Sequence, residues 1–255
     1  MLSKNQIKFL NELKQKKGRE EHNLFVAEGP KIVAELLSSE ISVKQIYAVP
    51  AAFVKLKIKS SVECIEIKPS ELERISSLTT PNEILAVCEI PAFKLDNSGL
   101  IDKLTLLLDT IKDPGNLGTI IRVADWFGID TIVCSEQSAD VFNPKVVQAT
   151  MGSITRVKIH YTDLSFFLAQ NKKETKLPVY GALLEGENIY KQQLPSAALI
   201  LIGNESRGIS SELIPFVTHK TRIPSFSHFK SLQGETESLN AAIATSIICS
   251  EFRRG

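Results

Sequence analysis

The feature that most constrains this chain is a set of short, almost unbroken aliphatic runs, above all Leu104–Leu108 and Leu199–Ile202, each followed by a turn of Gly and polar residues. Such a run has no polar face to offer water, so it reads as a strand buried on both faces of a parallel sheet. Helical spacing follows the first run at Leu117, Ile120, Ile121 and Ala124, and Gly128 is placed to end that helix. Further strands are expected at Thr131–Cys134, Thr155–His160, Val179–Leu183 and Lys220–Ile223. A last helix is expected over Ser238–Phe252, with Ser238 as N-cap and Arg253 and Arg254 at the negative end of its dipole. Strand and helix alternate throughout, which predicts an α/β domain with a parallel sheet covered by helices.

A smaller α/β set precedes this pattern. It comprises a helix around Asn5–Lys17, a strand at Leu24–Ala27, a helix at Pro30–Leu37, strands at Val43–Val49 and Val62–Ile67, a helix at Ser70–Leu78 and a strand at Ile84–Ile90. The aperiodic stretch Pro91–Gly99 suits a linker. With 255 residues, 43% of them hydrophobic, the chain can bury two cores, so the expected division is 1–95, a linker at 96–103 and a second domain at 104–255. Thirty basic residues against 29 acidic ones give no whole-chain field, and any nucleic-acid surface must be local. Cys64, Cys88, Cys134 and Cys249 lie beside aliphatic residues without a C-x-x-C pair, which argues for reduced core thiols, no metal site and a cytosolic protein. No run approaches the roughly 18 apolar residues of a membrane span, and Met1–Gly18 has no apolar signal region, so neither export nor membrane insertion is expected.

Three stretches carry candidate chemistry. Asp109–Arg122 joins a buried strand to a helix through a turn with Pro114, Gly115 and Gly118, the position of a ligand loop in an open α/β sheet. It has neither a Walker pattern nor G-x-G-x-x-G, so a phosphate cradle for a nucleotide is not supported. An ordinary strand-to-helix turn, with Asn116 as N-cap and Arg122 on a solvated face, accounts for it equally well. The second stretch, Leu199–Ser210, ends a strand in a turn carrying Asn204, Glu205 and Arg207; the third runs from Arg222-Ile-Pro-Ser225 to Glu237-Ser-Leu-Asn240. Solvated polar turns and a helix cap at Ser238 are the plain alternatives.

Taken in order, D-x-x-x-D-P-x-N-x-G-x-x-x-R, G-N-E-x-x-G and I-P…E-S-L-N resemble the three motifs of the SpoU family of RNA ribose 2′-O-methyltransferases, a TrmH-like branch of the SPOUT superfamily. The resemblance spans about residues 104 to 253. Lys16-Lys17-x-Arg19 ahead of Phe25-Val-Ala-Glu-Gly29 is similar to the substrate-binding domain that often precedes this catalytic domain. The resemblance implies a SPOUT domain whose C-terminal segment forms a trefoil knot, a homodimer with the donor site near its interface, and S-adenosylmethionine as methyl donor. Pattern reading alone would predict a plain doubly wound sheet, since knots are rare. Carried over by motif, Asn116, Arg122, Glu205, Ser238 and Asn240 form the catalytic set, and Gly203, Ile223 and Leu239 lie against the cofactor.

The family's motif 1 arginine is usually assigned as the base, yet a guanidinium is a poor base at neutral pH, so Arg122 is expected to grip a phosphate beside the reacting ribose and to reach a site formed largely by the partner subunit. Two departures stand out. The loop at 225–236 is longer than usual, with His228, Phe229 and Lys230 as candidate RNA contacts in a lid or an ordinary surface loop. Gln148-Ala-Thr-Met-Gly152 replaces a common Arg-Ala-Ser-x-Gly. Lys4, Lys8, Lys14, Lys16, Lys17 and Arg19 supply local positive charge, read as RNA docking or as a solvated helix face, with Lys16, Lys17 and Arg19 as the candidate contacts. The expected substrate is ribosomal rather than transfer RNA. A noncatalytic RNA-binding or ribosome-assembly protein is the competing reading, and the intact Asn116, Arg122, Glu205 and Asn240 favour the enzyme.

Overall fold

In the computed structural model, which describes residues 1–54, 56–226 and 238–254, Ser3 and Gln6 cap each other's backbone and start α1 (Lys4–Glu12). The single helix expected to run to Lys17 is broken after Leu13, and α2 (Lys16–His22) follows. At Gly18 a Cβ would lie 2.3 Å from the Glu12 carbonyl oxygen, so α2 meets the end of α1 at a distance only glycine allows. The chain continues as β1 (Leu24–Glu28), α3 (Pro30–Leu37), β2 (Val43–Ala48), the short α4 (Pro50–Phe53), β3 (Glu63–Glu66), α5 (Pro69–Ile75) and β4 (Ile84–Glu89). These strands form a sheet in the order β1-β4-β2-β3, antiparallel except between β2 and β3. Leu10, Leu13, Val26, Tyr47, Leu72, Ile75 and Leu85 fill its core.

After β4 come β5 (Leu104–Leu108), α6 (Pro114–Trp126), β6 (Thr131–Cys134), α7 (Pro144–Thr150), β7 (Lys158–Tyr161), α8 (Leu164–Lys173), β8 (Val179–Asn188), β9 (Ala198–Ile202), β10 (His219–Arg222) and α9 (Ala241–Phe252). The six strands form one sheet, ordered β10-β8-β9-β5-β6-β7, and every pairing is parallel. An α/β fold with a helix-covered parallel sheet, as expected from the unbroken aliphatic runs, is what the chain adopts. Leu107, Val133, Leu199 and Leu201 bury one face with Phe167 and Leu168 of α8, while α6 packs against α9. Gly128, with φ of 65°, stands just past the end of α6, as its position in the sequence suggested.

Two units emerge from these contacts, Met1–Ala92 with Asp140–Arg156, and Phe93–Ala139 with the chain from Val157 onward. Residues 140–156, central to the sequence expected for the second domain, pack in the first unit: α7 lies against β1, and Phe142 against Phe25. The strand expected from Thr155 therefore begins only at Lys158, because Ser153–Thr155 is a 3-10 turn held in the first unit. Gly152 there has φ of 102°, and a Cβ on it would lie 2.8 Å from Glu35 Cγ. All four cysteines are free, but Cys64 is exposed on β3 and is not the core thiol its neighbours suggested; β3 shows mostly polar faces to water. Among the described residues no helix is long and apolar enough to cross a membrane.

Candidate active site

The chain runs from β5 to β6 and β7 on one side and lays β9, β8 and β10 on the other, so β5 and β9 flank a topological switch point. Ligands of open parallel sheets bind at the carboxyl ends of strands there. The loop after β5 opens α6, and the loop after β9 carries Asn204, Glu205 and Arg207. They are tied together by Asp109, whose Oδ2 accepts the Ser210 N–H at 2.7 Å, and by Asn204, whose Nδ2 donates to the Thr110 carbonyl at 2.9 Å. Asp109 and Asn204 lie in the candidate stretches but outside the expected catalytic and cofactor sets; the signal for their role is two polar residues placed directly at the ends of apolar strands.

Asp113, not Asn116, caps α6, its Oδ1 accepting the Asn116 N–H at 2.8 Å. The Asn116 side chain is therefore available, and its Nδ2 donates to Glu205 Oε1 at 2.7 Å. Asn240 adds a third strand of the network, its Nδ2 lying 2.9 Å from Asn116 Oδ1 and 2.7 Å from Glu205 Oε1. The Ala241 N–H reaches the same Glu205 oxygen at 2.9 Å. Asn240 is also the true N-cap of α9, its Oδ1 accepting from the Ala242 and Ile243 N–H groups. Ser238 does not cap; it lies ahead of the helix, and its hydroxyl donates to the Glu205 carbonyl at 2.8 Å.

Of the expected catalytic set, four residues come together in this way and Arg122 does not. It is exposed on α6, with no polar partner among the described residues. Six positions after Asn116, it sits about 9 Å further along the helix and on another side of it. Among the expected cofactor residues, Gly203 follows β9, Ile223 follows β10 half-buried, and Leu239 is 46% exposed beside Asn240. A Cβ at Gly203 would lie 2.3 Å from the backbone carbon of Gly208, so the turn after β9 closes only around glycine.

Of the docking candidates in the first unit, Lys16 and Lys17 are exposed, Lys16 pairing loosely with Glu20. Arg19 corrects the expectation. Its side chain is 3% exposed and is consumed within the protein, by Asp140 Oδ2 and by the carbonyls of Leu13 and Lys14. His228, Phe229, Lys230 and Glu237, with the loop beyond Phe226, lie outside the described residues.

A model of the SpoU rRNA Methylase family matches residues 103–250, the stretch that holds all four clustered residues. The chain belongs to the SpoU rRNA methylase family. A model of the MRM3-like substrate binding domain matches residues 4–86. Among SpoU-type relatives, the 23S rRNA (guanosine(2553)-2′-O)-methyltransferase RlmP of Bacillus subtilis is 32% identical, over 98% of this chain and 97% of its own. A solved structure assigned to the TrmH family of RNA methyltransferases, from Porphyromonas gingivalis, is 41% identical with a TM-score of 0.90, covering 100% of this chain and 99% of its own. The AdoMet-bound rRNA methyltransferase of Sinorhizobium meliloti is 28% identical with a TM-score of 0.83, covering 100% of this chain and 96% of its own.

Proposed function

We propose that this protein transfers a methyl group from S-adenosylmethionine to a ribose 2′-hydroxyl of ribosomal RNA. The observation that carries the reading is the convergence of Asn116, Asn240 and the Ala241 N–H on one oxygen of Glu205, because it joins all three SpoU motifs in one constellation. A protein that only bound RNA would have no use for it. Gly203, Ile223 and Leu239 suit the donor: they offer main-chain groups at two strand ends and beside α9, and Ile223 and Leu239 add aliphatic side chains that an adenine can lie against. When bound, S-adenosylmethionine supplies a methyl group made electrophilic by its sulfonium.

The chain's own task is alignment of the hydroxyl with that methyl group and stabilisation of the charge that develops on oxygen. Glu205, fixed by three N–H donors, holds Asn116 and Asn240 in register, and Ser238 anchors the segment entering α9. In this reading Arg122 acts on a second copy of the chain, gripping the phosphate next to the reacting ribose of the partner's site. Two facts support a homodimer: Arg122 lies on another side of α6 from its own Asn116, and two large apolar side chains on the packed pair α6 and α9 face water, Trp126 at 85% exposure and Ile243 at 53%. Apolar exposure of that size on two packed helices suits a second copy. The knot belongs to the same reading, as do RNA docking by the basic α1–α2 face through Lys4, Lys8, Lys16 and Lys17, and a cytoplasmic location shared with ribosomes. Labelled methyl transfer to unmodified ribosomal RNA transcripts, with transfer RNA as control, is the test. Incorporation into ribosomal RNA is expected, whereas none into either would leave the noncatalytic binder as the better account.

A further inference from the structure

Among the described residues other than glycine, a positive φ occurs at Asn23, Thr110, Met151 and Lys176. Asn23 and Met151 end helices, where a left-handed residue is common. Thr110 is the β-branched one, and its φ of 58° crowds Cβ against its own backbone. It stands just past β5, at the start of the loop that leads to Asn116. Such a conformation persists only where the surroundings over-determine it, and here every polar group of the residue is tied. The Thr110 N–H donates to Ser135 Oγ at 2.8 Å, the hydroxyl donates to Asp109 Oδ1 at 2.8 Å, and the carbonyl accepts from Asn204 Nδ2 at 2.9 Å.

Asn204 is held as firmly within its own turn. Its backbone N–H and carbonyl both bond to Gly208, and its Oδ1 accepts the Ser206 and Arg207 N–H groups at 3.0 and 3.3 Å. This closed turn carries Glu205. The motif 1 loop and the motif 2 turn are therefore joined twice, once at Thr110 and Asn204 and again, further along both, at Asn116 and Glu205. The first link sets the separation across which the second must form. We infer that Thr110 and Asn204 are positioning residues for methyl transfer: the left-handed backbone of Thr110, locked by Asn204 and Ser135, sets the reach of Asn116 to Glu205. The inference rests on the proposed function. Released from its ties, Thr110 would fall back to an ordinary backbone well and swing the loop, so the loss should fall on turnover.

The test uses full-length Asn204→Asp, which keeps an acceptor for the Ser206 and Arg207 N–H groups but sets an oxygen against the Thr110 carbonyl. With saturating ribosomal RNA transcript, kcat should fall about tenfold, while the RNA KM and the S-adenosylmethionine Kd stay within about twofold of the parent. Glycine takes the left-handed conformation at no steric cost. Adding Thr110→Gly should therefore raise the kcat of Asn204→Asp by about threefold or more, although Thr110→Gly alone slows the parent by freeing the loop. Unchanged kcat in Asn204→Asp, a rise in KM alone, or a double variant no faster than Asn204→Asp would each overturn the inference, kcat being compared at a temperature well below every melting transition. If Asn204→Asp does not fold, Ser135→Ala, which frees the Thr110 N–H, takes its place with and without Thr110→Gly, and the same loss and recovery are expected. An inactive parent enzyme would instead sink the functional reading itself.

Discussion

Asn240 donates its side-chain N–H to Glu205 across 2.7 Å, joining residues 35 positions apart in sequence while its own oxygen caps α9. One side chain thereby fixes both the start of the last helix and the orientation of the motif 2 carboxylate. The two duties can be separated. Asn240→Asp keeps the cap but sets a second carboxylate against Glu205 Oε1 and Asn116 Oδ1, both acceptors. The melting temperature should stay close to the parent's while kcat/KM falls by on the order of 100-fold; Asn240→Ala should lose activity and about 1 kcal/mol of stability with the cap. Calorimetry and a methyl-transfer assay on the same samples read both effects.

Removing the acceptor itself should cost more. Glu205→Ala leaves Asn116, Asn240 and the Ala241 N–H without their shared partner, and a fall in kcat/KM of on the order of 100-fold or more is expected. Glu205→Gln, which keeps an acceptor oxygen but no charge, should fall between Ala and the parent. Equal activity of Gln and parent would show that the charge has no part in the reaction.

Arg122 provides the test of a shared site. Arg122→Ala and Asn240→Ala chains, each inactive alone, should regain up to about a quarter of parental activity when mixed as heterodimers, because one of the two sites is then intact. Arg122→Lys keeps the charge and loses the fork, and should stay well below the parent if the guanidinium grips a phosphate with two bonds. No recovery on mixing would return Arg122 to its own chain's site.

Stability of the first unit should depend on acid through Glu71. Its carboxylate accepts the backbone N–H groups of Lys68 and Leu2, which hold its pKa below the usual carboxylate range. The folded state therefore prefers the charged form, so its stabilisation is present above about pH 4 and disappears as pH falls through the lowered folded value. Glu71→Gln should lower the melting temperature near neutral pH, and the gap to the parent should close toward pH 3.

Much of this was legible in the sequence for a definite physical reason. Strands buried on both faces, such as β5 and β9, cannot disguise their composition, and polar residues at their ends mark the ligand edge. Asn116, Glu205 and Asn240 were readable because three separated motifs were similar to one family. What escaped notice depended on partners far along the chain. Arg19 looks like a docking cation until Asp140, 121 positions away, claims its guanidinium. Ser238 looks like a cap because Ser caps well, but Asn240 starts the helix two residues later. Residues 140–156 pack with the first unit because Phe142 and Gly152 meet Phe25 and Glu35, and no local pattern announces that.

The chemistry of the product tests the central claim most directly. Ribosomal RNA methylated by the parent enzyme would be digested to nucleosides and analysed by mass spectrometry, with a parallel alkaline hydrolysis. A methyl group on the ribose 2′-oxygen, and a hydrolysis-resistant dinucleotide at that position, are expected. A methyl group carried by the base, with the backbone cleaved normally at that nucleotide, would contradict the account.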